Sequence, residues 1–175
     1  MTDRVRRCTE CGKAQTLERR TTSYPQSGLN NVQLQNVPVW VCPEGHEEFE
    51  IPAVTQLHEL LAHSIVRKPS LLNGAEIKFL RRRIDCSAKD FAEKLGIKPV
   101  HLSRLENDVR PLPRRVDLLI RLVVAAYLAK KHGKSFPDDM VRLIEQLEKT
   151  WDIGTHRLKH VDSATPDREW EEASP

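Results

Sequence analysis

Apolar positions recur along this chain with two different periods, and the change of period divides it. Val32 and Leu34 alternate with polar residues, and Val37, Val39 and Val41 do the same after a slip of phase near Asn36. A period of two is that of a half-buried strand, so the pattern predicts strands over 17–24 and 32–42. Gly28 and the pair Asn30-Asn31 supply turn chemistry between them. From residue 54 the period lengthens. Leu57, Leu60, Leu61 and Ile65 share one face of a helix predicted over 54–66. Arg67-Lys68-Pro69-Ser70 then breaks it, because proline disfavours helix at the residue before it.

Beyond Asn73 the pattern is helical throughout. Asn73 with Glu76 has the form of a capping box and opens a helix to about residue 83. Ser87 with Asp90 opens a second, closed by Gly96 as a left-handed cap. Pro99 suits the first turn of a third helix, over 99–107. A long helix follows over 114–131, and Ser135, Pro137 and Asp138 open a last one to about residue 151. The expected fold class is therefore α+β: a small β-rich module (1–52), a helix and linker (53–72), an all-α domain (73–131) and a supporting C-terminal helix (132–153). The charged segment 154–175 is expected to be a disordered tail.

Composition narrows the classes. The chain is 39% hydrophobic and 30% charged, and no apolar run approaches the roughly 18 residues that span a bilayer. Charge from the third residue onward argues against a signal peptide, so a cytoplasmic protein with no membrane partner is expected. A net charge of +3 is only a mild lean toward anionic partners. The distribution says more, since Arg and Lys cluster at 78–83, 110–115 and 130–134.

Four cysteines in such a protein point to metal or burial before disulfides. Cys8-x-x-Cys11 has the two-residue spacing that lets both thiolates face one ion. The other half reads Cys42-Pro43-Glu44-Gly45-His46, with glycine where a second Cys-x-x-Cys would place its last sulfur. His46 completes a Cys3His set, an accepted structural zinc shell with no open position, although Glu44 or Glu47 are alternative fourth ligands. The competing readings are an unmetallated or redox pair, or zinc held by three ligands plus water; a redox pair lacks the thioredoxin-like βαβ context. A module with so few large apolar residues needs a staple, which favours Zn2+. Cys86, far along the chain, reads as a buried small apolar residue.

The helices of 75–107 fit a helix-turn-helix template. Ile77, Leu80 and Ile84, then Phe91, Ala92 and Leu95, then Leu102 and Leu105 supply a common core, with Ile97 plugging it behind the Gly96 turn. This leaves the outward face of the third helix, bearing Lys98, Val100, His101 and Arg104, for a DNA major groove. Arg104 suits guanine and Val100 a thymine methyl. Ser87, Lys89, Asn107 and Arg110 are candidate phosphate anchors.

On these residues the segment from Ser87 to Ile97, followed by Leu102-Ser103-Arg104-Leu105-Glu106-Asn107, resembles the Cro/phage-repressor (XRE-type) helix-turn-helix family. Cys8-x-x-Cys11-Gly12, Asn36-Val37-Pro38 and Cys42-Pro43-Glu44 resemble the YgiT-type zinc finger. Their combined order is similar to that of MqsA-type antitoxins over about residues 6–125. The resemblance implies a homodimer that binds a palindromic operator, represses its own operon, and neutralises a ribonuclease toxin through its zinc module. Arg104 falls at the family's base-reading arginine. Val100 stands where a polar reader is usual, and Gly45 where the fourth cysteine would be.

The long helix carries apolar residues nearly all round, with Val116, Leu119, Ile120, Val123, Val124, Tyr127 and Leu128 as its expected stripe. It must be buried on two faces. A dimer partner, or Met140, Ile144, Leu147 and Trp151 of the last helix, would cover the second. A stand-alone repressor with no toxin is the alternative function. A zinc hydrolase built on His58, Glu59 or His63 is disfavoured, because His58 and His63 are five apart and point to different faces.

Overall fold

The computed structural model describes residues 6–131, 161–163 and 170–172. The chain folds as two compact units, the first formed by Met1–Tyr24, Val32–Leu57 and Lys159–Pro175, the second by Pro25–Asn31 and His58–Leu158. The fold is α+β.

The first unit is a sheet of six strands: β1 (Arg6–Arg7), β2 (Ala14–Ser23), β3 (Gln33–Val41), β4 (Glu47–Phe49), β5 (Val161–Ser163) and β6 (Trp170–Glu172). β2 and β3 form its antiparallel spine, with Leu17 opposite Trp40 and Arg20 opposite Val37. The expected phase slip is real. Asn36 takes φ 58°, and the register shifts between Arg20 and Thr22. This bulge lets Leu34 and Val37, an odd number of residues apart, both be fully buried.

β4 covers only the C-terminal half of β3, pairing Val39 with Phe49 and Val41 with Glu47. The free N-terminal half pairs in parallel with β5, Leu34 with Val161 and Gln35 with Asp162, and β6 completes the sheet. β5 and β6 are the described part of the segment 154–175, whose other residues lie outside the described residues. Its composition argued for solvation; an open row of N–H and C=O groups on β3 supplies a partner that composition cannot reveal.

The second unit is helical: α1 (Val54–Arg67), α2 (Gly74–Arg83), α3 (Ala88–Lys94), α4 (Pro99–Glu106) and α5 (Arg114–Lys131), α1 beginning in the first unit. Their ends follow the local signals. The Asn73 side chain accepts the Glu76 amide at 2.9 Å while the Glu76 carboxylate accepts the Asn73 amide at 2.8 Å. Ser87 caps α3 through the Asp90 amide, Gly96 takes φ +65°, and Pro99 occupies the first turn of α4. Ile77, Leu80, Ile84, Phe91, Ala92, Leu95, Leu102 and Leu105 are all buried, as the spacing predicts; Ile97 is half-buried.

α5 departs from its expected stripe. Its buried residues are Asp117, Ile120, Arg121, Val124 and Leu128, whereas Val116, Leu119 and Val123 are half-buried and Tyr127 is 37% exposed. The helix is rotated because an ion pair occupies the core. Arg121 Nε donates to Asp117 at 2.8 Å, and its two terminal nitrogens donate to the carbonyls of Val66, Lys68 and Ser70 at 2.6–2.9 Å. Asp117 also accepts the Leu72 amide at 2.8 Å. The last carbonyls of α1 lack helical partners, and a cation there is favoured by the helix dipole. The segment expected as a linker is therefore pinned to α5. The helix expected over 132–153, with Met140, Ile144, Leu147 and Trp151, lies outside the described residues.

Candidate metal centre and nucleic-acid interface

Two turns at one end of the β module bring four ligand atoms together. The Gly12 amide donates to the Cys8 carbonyl and the Gly45 amide to the Cys42 carbonyl, both at 2.9 Å. Gly12 and Gly45 have φ +70° and +83°, left-handed values that favour glycine. Gly45 therefore occupies the left-handed position of its turn, and the next residue, His46, is the one that joins the three cysteines. Sγ of Cys8, Cys11 and Cys42 and a ring nitrogen of His46 all lie within 4.8 Å of one another.

Three of the six separations within the set match the edges of a tetrahedral ion's shell. Metal bonds of about 2.3 Å to sulfur and about 2.0–2.1 Å to nitrogen require S···S of about 3.8 Å and S···N of about 3.6 Å. Cys11 and Cys42 are 3.6 Å apart, and His46 Nδ1 lies 3.7 Å from Cys8 Sγ and 3.5 Å from Cys42 Sγ. Nδ1 is thus the ring nitrogen that faces the sulfurs and could hold an ion with them, while Nε2 is 3.3 Å from the Glu10 carboxylate. A carboxylate on the far nitrogen fixes ring orientation and tautomer. Glu44 pairs with Lys13, and Glu47 with Arg20, so both alternative ligands are engaged elsewhere.

The thiols show why an ion suits this place. Burial works to raise Cys42, but the amides of His46 and Glu44 and the neighbouring thiols outweigh it and hold the group below the usual thiol range. The Lys13 amide works to lower Cys11, but burial and its neighbours Cys8 and Cys42 together push it up. Adjacent sulfurs compete for negative charge, and a divalent cation removes that competition. The first turn is tied down separately. Glu48 accepts the amide and hydroxyl of Thr9, each at 2.8 Å, and pairs with Arg6 at 3.3 Å. These bonds hold its carboxyl below the ordinary range.

His58, Glu59 and His63 belong to a different part of the chain and, among the described residues, to no such cluster. His58 Nδ1 lies 3.1 Å from an Arg83 nitrogen and its ring meets Phe79 edge-on, while Glu59 pairs with Lys131.

In the helical unit α4 is held from behind by Leu102 and Leu105, at 0% and 1% exposure. Two further contacts fix it to α2. Arg81 donates twice to Glu106, at 2.6 and 3.1 Å. Gly74 donates to the Asp108 carboxylate at 2.7 Å, and a Cβ at residue 74 would stand 2.5 Å from the Glu106 carbonyl oxygen. Outward stand Lys98, Val100, Ser103 and Arg104, all exposed, with His101 half-buried.

A helix-turn-helix family model matches residues 77–122. No curated protein and no solved structure matches the chain. The match begins in α2 and ends in α5, so α3 and α4 with their connecting turn are the DNA-binding core of a regulatory domain.

Against that core, the candidate contacts fall into two groups. Lys89, Lys98, Arg104 and Arg110 are exposed, and their side chains make none of the hydrogen bonds or ion pairs found among the described residues. Ser87 Oγ donates to Asp90 at 2.6 Å while capping α3, and Asn107 Nδ2 donates to the Ser103 carbonyl at 2.7 Å. Those two polar groups are already used locally. Cys86, expected buried, is half-buried, and its carbonyl accepts Arg81. Sequence reasoning missed Arg81, Glu106, Glu10, Asp117 and Arg121. Only the i,i+4 spacing of Asp117 and Arg121 carried a signal. No helix among the described residues is long and apolar enough to cross a membrane.

Proposed function

We propose that this chain is a sequence-specific transcription regulator that binds operator DNA as a homodimer through α4. The single observation that carries the reading is the outward face of α4, where Lys98, Val100, His101 and Arg104 project from a helix anchored by fully buried leucines. Two copies on half-sites about one DNA turn apart give the affinity that one short helix lacks. Arg104 reads a guanine, and Lys89 and Arg110 meet phosphates.

The N-terminal module in this reading holds one structural Zn2+ on Cys8, Cys11, Cys42 and His46. Three thiolates and an imidazole suit zinc, and four protein ligands leave no position for a reacting water. The protein is thus a binding protein and not an enzyme. Its resemblance to MqsA-type antitoxins extends the reading: the module binds a ribonuclease toxin, and the pair represses its own operon. A repressor with no toxin partner is the second reading, favoured by the closed ligand shell, which is sufficient as a purely stabilising element.

Duplexes covering the region upstream of the gene test the DNA reading: saturable binding in competitor DNA is expected, and equal affinity for all sequences would overturn it. Expressing the adjacent open reading frame alone and with this chain tests the other part. Toxicity relieved by co-expression is expected; a harmless neighbour leaves the stand-alone repressor.

A further inference from the structure

Two large apolar side chains are the most exposed of their kind among the described residues, one within α4 and one just beyond it. Val100 is 63% exposed in its first turn and Val109 68% exposed just past its end. Val100 has no local reason to be apolar. The α4 core is already closed by Leu102 and Leu105, and a β-branched residue is a poor choice for an exposed helical position. Its place is specific: one helical turn before Arg104, on the same outward face, beside the exposed Lys98.

Resting on the reading of α4 as the groove-reading helix, we infer that Val100 selects a thymine by contact with its 5-methyl group. Thymine alone among the bases carries that methyl in the major groove, and apolar side chains are its complement. A valine can neither donate to nor accept from a base edge, so the methyl is the feature of the groove that it recognises. The helix rises roughly 6 Å between residues 100 and 104. Base pairs are stacked roughly 3.4 Å apart, so the thymine lies about one or two base pairs from the guanine read by Arg104.

The experiment uses the full-length chain and a random duplex DNA library. Sequences enriched by the wild-type protein are remade with deoxyuridine in place of each thymidine in turn, which removes only the methyl. One thymine near the selected guanine is expected to show roughly fourfold weaker binding as uracil, the worth of one buried methyl. Val100→Ala, which leaves the core untouched and shortens the apolar contact, is expected to keep the guanine preference and to narrow the difference between the thymine and uracil duplexes. Equal binding of both duplexes by the wild type would overturn the inference while leaving sequence-specific binding intact. Discrimination that stays undiminished in Val100→Ala and narrows in Val109→Ala would overturn it in favour of the other valine. Failure to enrich any sequence would overturn the DNA reading itself.

Discussion

Arg121 and Asp117 form an ion pair in which neither side chain has any solvent exposure. The polar groups around it are paired: the guanidinium closes the end of α1, and the carboxylate takes the Leu72 amide. Breaking such a pair from one side leaves the other charge stranded, which costs about 3–5 kcal/mol. Arg121→Met is expected to lose that much in urea unfolding, and Asp117→Leu/Arg121→Met to lose less than the single change. Equal losses would mean that the carbonyls of α1, and not Asp117, set the cost.

Gly74 inverts a common rule. Alanine in a helix is ordinarily about 1 kcal/mol better than glycine. Here the added carbon would lie 2.5 Å from backbone of α4, and forcing such a contact costs about 1–3 kcal/mol. Gly74→Ala should lower the midpoint of unfolding and loosen DNA binding together.

Metal analysis of the purified protein is expected to give about one zinc per chain. His46→Ala should reduce that occupancy and make the β module open at lower temperature, with α2–α5 unaffected. Glu10→Gln should keep the ion but release it faster to a chelator, because the imidazole loses the group that orients it. Unchanged occupancy in His46→Ala would point to a different fourth ligand.

Arg104→Ala is expected to weaken operator binding by about 1–3 kcal/mol and relax the preference at one base pair. Lys89→Ala or Arg110→Ala should instead weaken all sequences alike and lower the salt dependence by about one unit. Binding titrations at several salt concentrations separate the two kinds of residue.

Acid should loosen the helical unit through His58. Burial first, and the nearby Arg83 second, hold its pKa below the ordinary 6.5. The unfolded imidazole therefore takes up a proton at a pH where the folded one does not. Stability is full above about 6.5 and falls as pH drops through that value toward the folded pKa. His58→Asn should flatten this slope in thermal unfolding between about pH 7.5 and 5.5.

Most of what the amino-acid order disclosed was local. Caps at Asn73 and Ser87, the turn at Gly96 and the slip at Asn36 each depend on residues a few positions apart. The metal set was legible for a similar reason, since two short motifs declare their own geometry. Periodicity placed the α5 stripe wrongly because it weighs apolar residues alone. Arg121 holds its core position through carbonyls 51–55 residues away on the chain, and Asp117 through Arg121 and the Leu72 amide 45 residues away. β5 was hidden likewise, its partner Leu34 lying in the opposite terminal third of the sequence.

That return of the chain makes the β module a composite of both termini, so cutting the protein in sequence order does not yield its parts. A fragment ending at residue 72 would keep the four ligands and lose the strand that lies along Leu34 and Gln35. Its exposed edge would invite self-association. What would cover that edge is the pair of strands β5 and β6, carried by the other end of the chain.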